Sequence, residues 1–231
     1  MKQQEKLEER TSGGRRSRKD DTSGREHLLD TAILLFSDRG IANTTIAQIA
    51  KAGKVTSAMV HYWFETREKL YDAVVEERLG PLIQAIWEPA DIEHETAMEL
   101  IRGLLTRMFE VTDAAPWVPS LWLREIVQVG GLLRERLLRR IPRDRSIAFR
   151  QKIIEAQSRG EVNPEIEPNL LFTSMLAQVM LPQATSSCVW HEGDATMSLG
   201  RDQIQRHAVA LLMRGLAGPA VRSEELTGGR K

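Results

Sequence analysis

From residue 23 to residue 222 the apolar positions recur three and four residues apart, the spacing that gives each helix one buried stripe. Leu28, Leu29, Ala32, Ile33, Leu35 and Phe36 form the first stripe. It opens at Ser23-Gly-Arg-Glu26, where the serine can accept from the amide three residues on and the glutamate can reach back, and it stops at Gly40. Thr45-x-x-Gln48 repeats that start signal for a second helix, which buries Ile46, Ile49 and Ala50. Thr56 caps a third that buries Val60 and Phe64, and a fourth starts near Thr66 and runs through Leu70, Tyr71, Val74 and Val75. Alternating β-branched runs are absent, so the pattern predicts an all-α fold whose first part is a small bundle.

Past Leu79 the stripes lengthen. One helix is expected to run through Pro81, kinked, to Trp87, and another from about His94 to Thr112. Ala-Pro-Trp-Val-Pro breaks the chain before a helix from about Pro119 to Gln128, halted by Gly130-Gly131. Leu-Leu-Arg-Glu-Arg-Leu-Leu leads to Pro142, and an amphipathic helix then ends at Gly160. Pro168 suits a first helical position ahead of a helix over Asn169–Ser186, and the last covers about Arg201–Leu216. These last two are apolar on more than one face, so they are expected to pair with a second copy as an isologous four-helix interface; the alternative is the interior of a monomer. The expected organisation is a disordered basic arm over 1–22, a bundle of short helices over 23–79, a domain of longer helices that carries the dimer contact over 80–222, and a flexible tail over 223–231.

Composition changes this picture little. The chain has 231 residues with 32 Lys and Arg against 32 Asp and Glu, so net charge is zero and coating of nucleic acid by charge alone is disfavoured. A specific binder needs only a few well-placed cations. The single cysteine, Cys188, cannot form an internal disulfide, and no apolar run reaches membrane-spanning length or forms a signal segment. A cytoplasmic, nucleoid-associated protein without membrane contact is expected. Arg15–Lys19, Arg-Arg-Ser-Arg-Lys, is either a solvated piece of tail or an arm that touches phosphates.

The two short helices over Thr45–Phe64 cannot hold themselves in water. If Ile49, Ala50, Val55, Val60 and Phe64 point inward, Ser57, Ala58, Met59, His61 and Tyr62 face out. Slim residues in a first turn followed by a hydrogen-bonding aromatic pair suit a helix inserted end-first into a major groove. Periodicity equally allows a corner that packs another protein's helix, so a helical interaction module without DNA binding stays open.

The stretches LLDTAILLFSDRGIANTTIAQIAKAG and VTSAMVHYWFETREKLYDAVV add a specific set of features. These are an aliphatic first helix, Phe-x-x-x-Gly, a Thr-Thr pair, Ile-Ala, a Val-Thr turn, an aromatic tail and a basic residue opening the fourth helix. In these, residues 25–79 resemble the tetracycline-repressor (TetR) family of bacterial transcription regulators. The resemblance implies a homodimeric, ligand-responsive regulator, a repressor or an activator, that reads a pseudo-palindromic operator. It implies that Thr44 and Thr45 cap the second helix and contact phosphate. Ser57, Ala58 and Met59 would meet base edges or the adjoining backbone, His61 and Tyr62 would meet phosphate or bases, and Arg67 would grip a phosphate. Two positions depart from the family pattern. Lys54 stands where a glycine normally precedes the valine, so either the turn is shifted or Lys54 is strained; and Ala47 replaces a frequent basic residue, leaving its contact to Gln48 or the arm.

The resemblance also implies a ligand-binding domain over 80–222 with a pocket for a small apolar or aromatic effector, for which Trp87, Phe109, Trp117 and Trp122 of the later helices are the lining candidates, although core packing is the commoner role for any one aromatic. Arg124-Glu125 reads as a salt bridge at a helix edge or a polar pair in the pocket. No phosphate-binding glycine loop or nucleophile elbow is present, and Cys188-x-x-His191 with Glu192 and Asp194 lacks a second ligand pair. No enzyme activity, cofactor or metal is expected.

Overall fold

The computed structural model describes residues 2–189 and 200–219, with side chains over 21–185 and 200–219. It is helical, with no strand among the described residues beyond one isolated bridge between Val162 and Ala217. Two compact units divide it, Met1–Glu76 and Glu77–Lys231.

The first unit holds α1 (Lys2–Arg39), α2 (Ile46–Ala52), α3 (Ser57–Phe64) and α4 (Arg67–Val74). Three of these starts lie where the threonines put them. Thr45, Thr56 and Thr66 each have extended backbone and accept from the amide three residues on, and Thr45 with Gln48 completes the reciprocal box. Each such cap contributes about 1 kcal/mol, a large share for a helix of two turns. The stripes converge on a core of Leu28, Leu29, Ile33, Phe36, Ile49, Val60, Phe64 and Leu70, all nearly inaccessible, with Phe36 meeting Tyr71 edge-on at 5.8 Å. Gly40 ends α1 with φ +81° and donates its amide to Phe36 O.

The start of α1 differs from expectation. The helix does not begin at the Ser23 box but continues back to Lys2, through the stretch expected to be a loose arm. A helix already anchored by Leu28–Phe36 needs no new nucleus, so propagation through Ser23 competes well with a cap.

A π-helical turn, Val75–Leu79, spans the boundary between the units along the chain, and the second unit continues with α5 (Gly80–Trp87), which carries Pro81 in its first turn. Proline lacks the amide that would continue the ladder, and widened turns commonly absorb such a defect. α6 (Ala97–Ala114) starts from a Thr96–Glu99 capping box and is the central helix, burying Leu100, Ile101, Leu104, Leu105, Met108 and Phe109. α7 (Val118–Trp122) runs into a second π turn, Leu123–Val127. After the short α8 (Arg134–Leu138) come α9 (Arg143–Ser158), α10 (Pro168–Val189) and α11 (Arg201–Leu216). α10 lies against α6, α7, α9 and α11. No helix among the described residues is long and apolar enough to cross a membrane.

Candidate nucleic-acid interface

The turn between α2 and α3 decides how α3 is presented. Val55 N donates to Ala50 O at 2.9 Å and Lys54 N to Lys51 O at 3.3 Å, the crossed pair that closes a helix with one left-handed residue. That residue is Lys54, at φ +57°, while Gly53 sits at φ −77°. The turn is therefore not shifted, and Lys54 carries the strain. Gly53 serves another purpose: a Cβ there would lie 2.6 Å from Leu28 Cδ1, so the bare backbone lets the turn press onto α1. Left-handed backbone costs an ordinary residue about 1–2 kcal/mol, and glycine returns part of the gain as unfolded-state entropy. Lys54→Gly is expected to stabilise the first unit by about 0.5–1 kcal/mol, read as a higher thermal midpoint for the full chain.

The other end of α3 is also pinned by an unusual residue. Glu65 has φ +55° and ψ −59°, with Thr66 N donating to Phe64 O across it, a tight three-residue turn rarely adopted without surrounding support. Its carboxylate pairs with Lys69 one turn on.

Between these turns α3 shows the face expected of it. Ser57, Ala58 and His61 are exposed, Met59 is half-buried and Tyr62 is 68% exposed. His61 Nδ1 stands 3.3 Å from Glu65 O, so the tautomer that donates there leaves Nε2 as an outward acceptor. Thr45 and Gln48 are exposed beside this face and hold each other through the cap.

Two residues behave differently from their expected roles. Thr44 is 1% exposed, and its hydroxyl donates to Gly40 O at 2.8 Å. It neither caps α2, which Thr45 does, nor presents a group to phosphate; it stitches the end of α1 to the start of α2. Arg67 is exposed, yet its guanidinium also turns back onto the chain. Its Nη2 donates to Thr44 O at 2.8 Å and to Ile41 O at 3.3 Å, and the guanidinium lies over the Tyr71 ring. It braces the loop that carries α2, work that sequence spacing could not reveal because its acceptors are backbone carbonyls on a distant segment.

Sequence reasoning also passed over Trp63. Its indole Nε1 donates to Asp21 Oδ1 at 2.7 Å, and Arg25 sits 5.0 Å over the Phe64 ring. Lys51 and Lys54 are exposed beside the turn and are the only Lys or Arg between Gly40 and Thr66.

In the second unit a cavity of about 100 Å³ opens among α5, α6, α7, α8 and α10. Its lining is apolar throughout, with Trp87, Trp122, Phe172, Ile86, Leu121 and Leu176 among the walls. Trp87 stacks on Phe172 at 4.9 Å and meets Phe149 edge-on at 6.1 Å. Two of the four aromatic candidates thus line it. Phe109 does not: it is buried in the main core, on another side of α6. Trp117 packs instead with Ala115, Val118 and Met180. Arg124 is exposed whereas Glu125 is buried, its Oε2 accepting from Leu132 N at 3.2 Å, so the pair diverges rather than forming a shared edge. Among the described residues no cluster of His, Cys, Asp and Glu could hold a metal. The Cys188 side chain, His191, Glu192 and Asp194 lie outside those residues, as does the tail over 223–231.

Short capped helices set nearly at the surface, joined by a tight turn and braced by a longer first helix, define a helix-turn-helix DNA-binding protein. Residues 28–74 match the family described as bacterial regulatory proteins, tetR family. The HTH-type transcriptional repressor KstR2 of Rhodococcus jostii (strain RHA1) is 24% identical over 210 residues, 87% of this chain and 96% of its own. The HTH-type transcriptional regulator AcrR of Shigella flexneri is 32% identical over 62 residues, 27% of this chain and 29% of its own. Among solved structures, the ketosteroid transcriptional regulator KstR2 of Mycobacterium tuberculosis superposes with a TM-score of 0.65 at 16% identity, covering 84% of this chain and 94% of that one. HlyIIR, a hemolysin II transcriptional regulator, gives 0.62 at 20%, covering 85% and 98%. The match over residues 28–74 and these relatives support a TetR-type DNA-binding transcriptional regulator.

Proposed function

We propose that this regulator is a repressor that binds a pseudo-palindromic operator as a homodimer and is released by a small apolar or aromatic effector. The observation that carries the reading is α3 itself, whose polar face from Ser57 to Tyr62 is open to solvent although its other face is buried. A groove meant for another protein's helix would offer aliphatic side chains there. In a twofold dimer the two copies of α3 would address half-sites about 34–36 Å apart. Ser57, Ala58, Met59, His61 and Tyr62 are assigned to base edges and backbone, and Thr45 and Gln48 to the flanking phosphates.

Dimerisation is assigned to α10 and α11. Leu170, Leu181 and Leu211 are each about half-exposed on them, and a shallow groove runs between the two helices past Leu212 and Gly215. The effector is assigned to the apolar cavity of the second unit. Ligand pockets commonly measure about 300–1,000 Å³, so a cavity of about 100 Å³ would enlarge on binding. The wall best suited to yield is the segment of Gln128–Ile141, where Gly130 has φ +87° and α8 has no side-chain cap. Effector binding would favour a conformation with weaker operator affinity, a coupling of about 1–3 kcal/mol in well-behaved cases. The protein acts by binding, without turnover, in the cytoplasm where its operator is.

Selection of bound fragments from random DNA tests this directly. A recovered inverted repeat, bound by a dimer and released by apolar compounds, is the expected result. Recovery of no sequence preference at moderate salt would end the reading. Activation rather than repression would show in a reporter carrying the recovered site.

A further inference from the structure

We infer that Lys54, at the tip of the turn between α2 and α3, is a phosphate contact, its ammonium meeting the sugar-phosphate backbone beside the groove that α3 enters. The inference rests on the DNA reading of α3 and adds to it a residue that strains its own turn.

Charge motivates it. The electrostatic part of duplex affinity comes from Lys and Arg neutralising phosphates. Over residues 41–65 the only Lys, Arg, Asp or Glu are Lys51, Lys54 and Glu65. Glu65 lies past the far end of α3 and pairs with Lys69. On the side of the turn, the two lysines are therefore the whole of the charge that this segment offers.

Lys51 has an ordinary explanation. It stands in the last turn of α2, where a cation offsets the carbonyl end of the helix dipole. Lys54 has no such explanation. Its φ of +57° is one that glycine adopts far more easily. The bonds that close the turn, Val55 N to Ala50 O and Lys54 N to Lys51 O, are backbone bonds that glycine would make equally well. The Lys54 side chain is exposed and has no partner among the described residues. A side chain that forces its backbone from the preferred wells and gains no contact in the folded chain points to work outside it.

The geometry of the turn says where. Gly53 is buried against Leu28 and Val55 is half-buried, so the turn presses both onto the bundle and leaves Lys54 at its outer edge. Lys54 stands two residues before Thr56, the cap of α3, and the exposed Ser57 and Ala58 follow that cap directly. Docking with the first turn of α3 in the groove brings the residues ahead of the cap to the groove's rim, where the phosphates run. A compact charge on a flexible four-carbon stem suits a phosphate there.

Anisotropy across a salt series tests this, with the full chain, the fragment recovered by selection and a random-sequence duplex of equal length. Lys54→Gln keeps the strained backbone and removes the charge, Lys54→Gly removes both, and Lys54→Arg keeps both. The two neutral variants are expected to lower the slope of log affinity against log salt by about 1.8, at about 0.9 for each of two half-sites, so the parent's advantage over them shrinks about tenfold between about 50 and 200 mM salt. They are expected to lose affinity by the same factor on both duplexes, because a phosphate carries no sequence information. Lys54→Arg is expected to keep the parent's slope. Lys54→Gly is expected to bind more weakly while melting at a higher temperature, a combination that a purely structural lysine would not give. An unchanged slope in either neutral variant overturns the inference, as does a lowered slope in Lys54→Arg. Absence of DNA binding by the parent chain would instead overturn the reading of α3 on which the inference stands.

Discussion

His61→Ala combined with Tyr62→Ala is expected to weaken operator binding about 30- to 1,000-fold while leaving helix content and dimerisation unchanged. The separation follows from where the two side chains sit. Both are exposed, and neither belongs to the core formed by Val60 and Phe64 on the opposite face of α3. Removing them leaves the Thr56 cap and the Phe36–Tyr71 contact intact. At about 1–2 kcal/mol for each exposed contact to a base edge or phosphate, two lost together give about 2–4 kcal/mol. Anisotropy with the selected fragment measures the loss, and circular dichroism and sedimentation check the fold and the assembly. Binding within threefold of the parent would remove α3 from the interface.

The second large effect concerns the cavity. Leu176→Phe is expected to retain operator affinity and raise about tenfold or more the concentration of any apolar compound that releases the parent chain from DNA. Leu176 lines the cavity from α10, opposite Ile86 and Trp87 of α5, and a larger ring would occupy the volume an effector needs. Leu176 is partly buried rather than locked in the core, so the added volume should cost no more than about 1–3 kcal/mol of stability. Phe109→Leu is the control. Phe109 is buried in the main core and does not line the cavity, so that change should lower the thermal midpoint without altering the response. If Leu176→Phe left the response untouched, the effector would have to bind elsewhere.

What could be read from the chain alone was whatever is decided within a few residues. The caps at Thr45, Thr56, Thr66 and Thr96 are local, since a threonine oxygen and an amide three residues on need no tertiary partner. The division of α3 into a buried and an open face follows from helical period and was equally legible. Ser23 shows where locality fails: its box is as good as that of Thr45, yet α1 runs through it because the downstream core already holds the helix. That Thr44 does not cap α2 and that Arg67 braces the loop before it could not be foreseen, because their partners, backbone carbonyls, leave no trace in residue identity. The pocket aromatics divided for a related reason. Periodicity says that Phe109 and Trp87 both face inward, but only the packing of α5, α7 and α10 says which of them borders a void.

The positive-φ residues Lys54 and Glu65 bound α3 on its two sides. Neither can join the helix without abandoning its backbone well, so α3 can neither grow by a turn nor slide along its own sequence. A reading element of unchanging length has one register to offer. In the proposed operator complex, variation among base pairs would then be absorbed by rotamers of Met59, His61 and Tyr62 or by bending of the duplex, and a base pair inserted within a half-site should be tolerated far less well than a single base change.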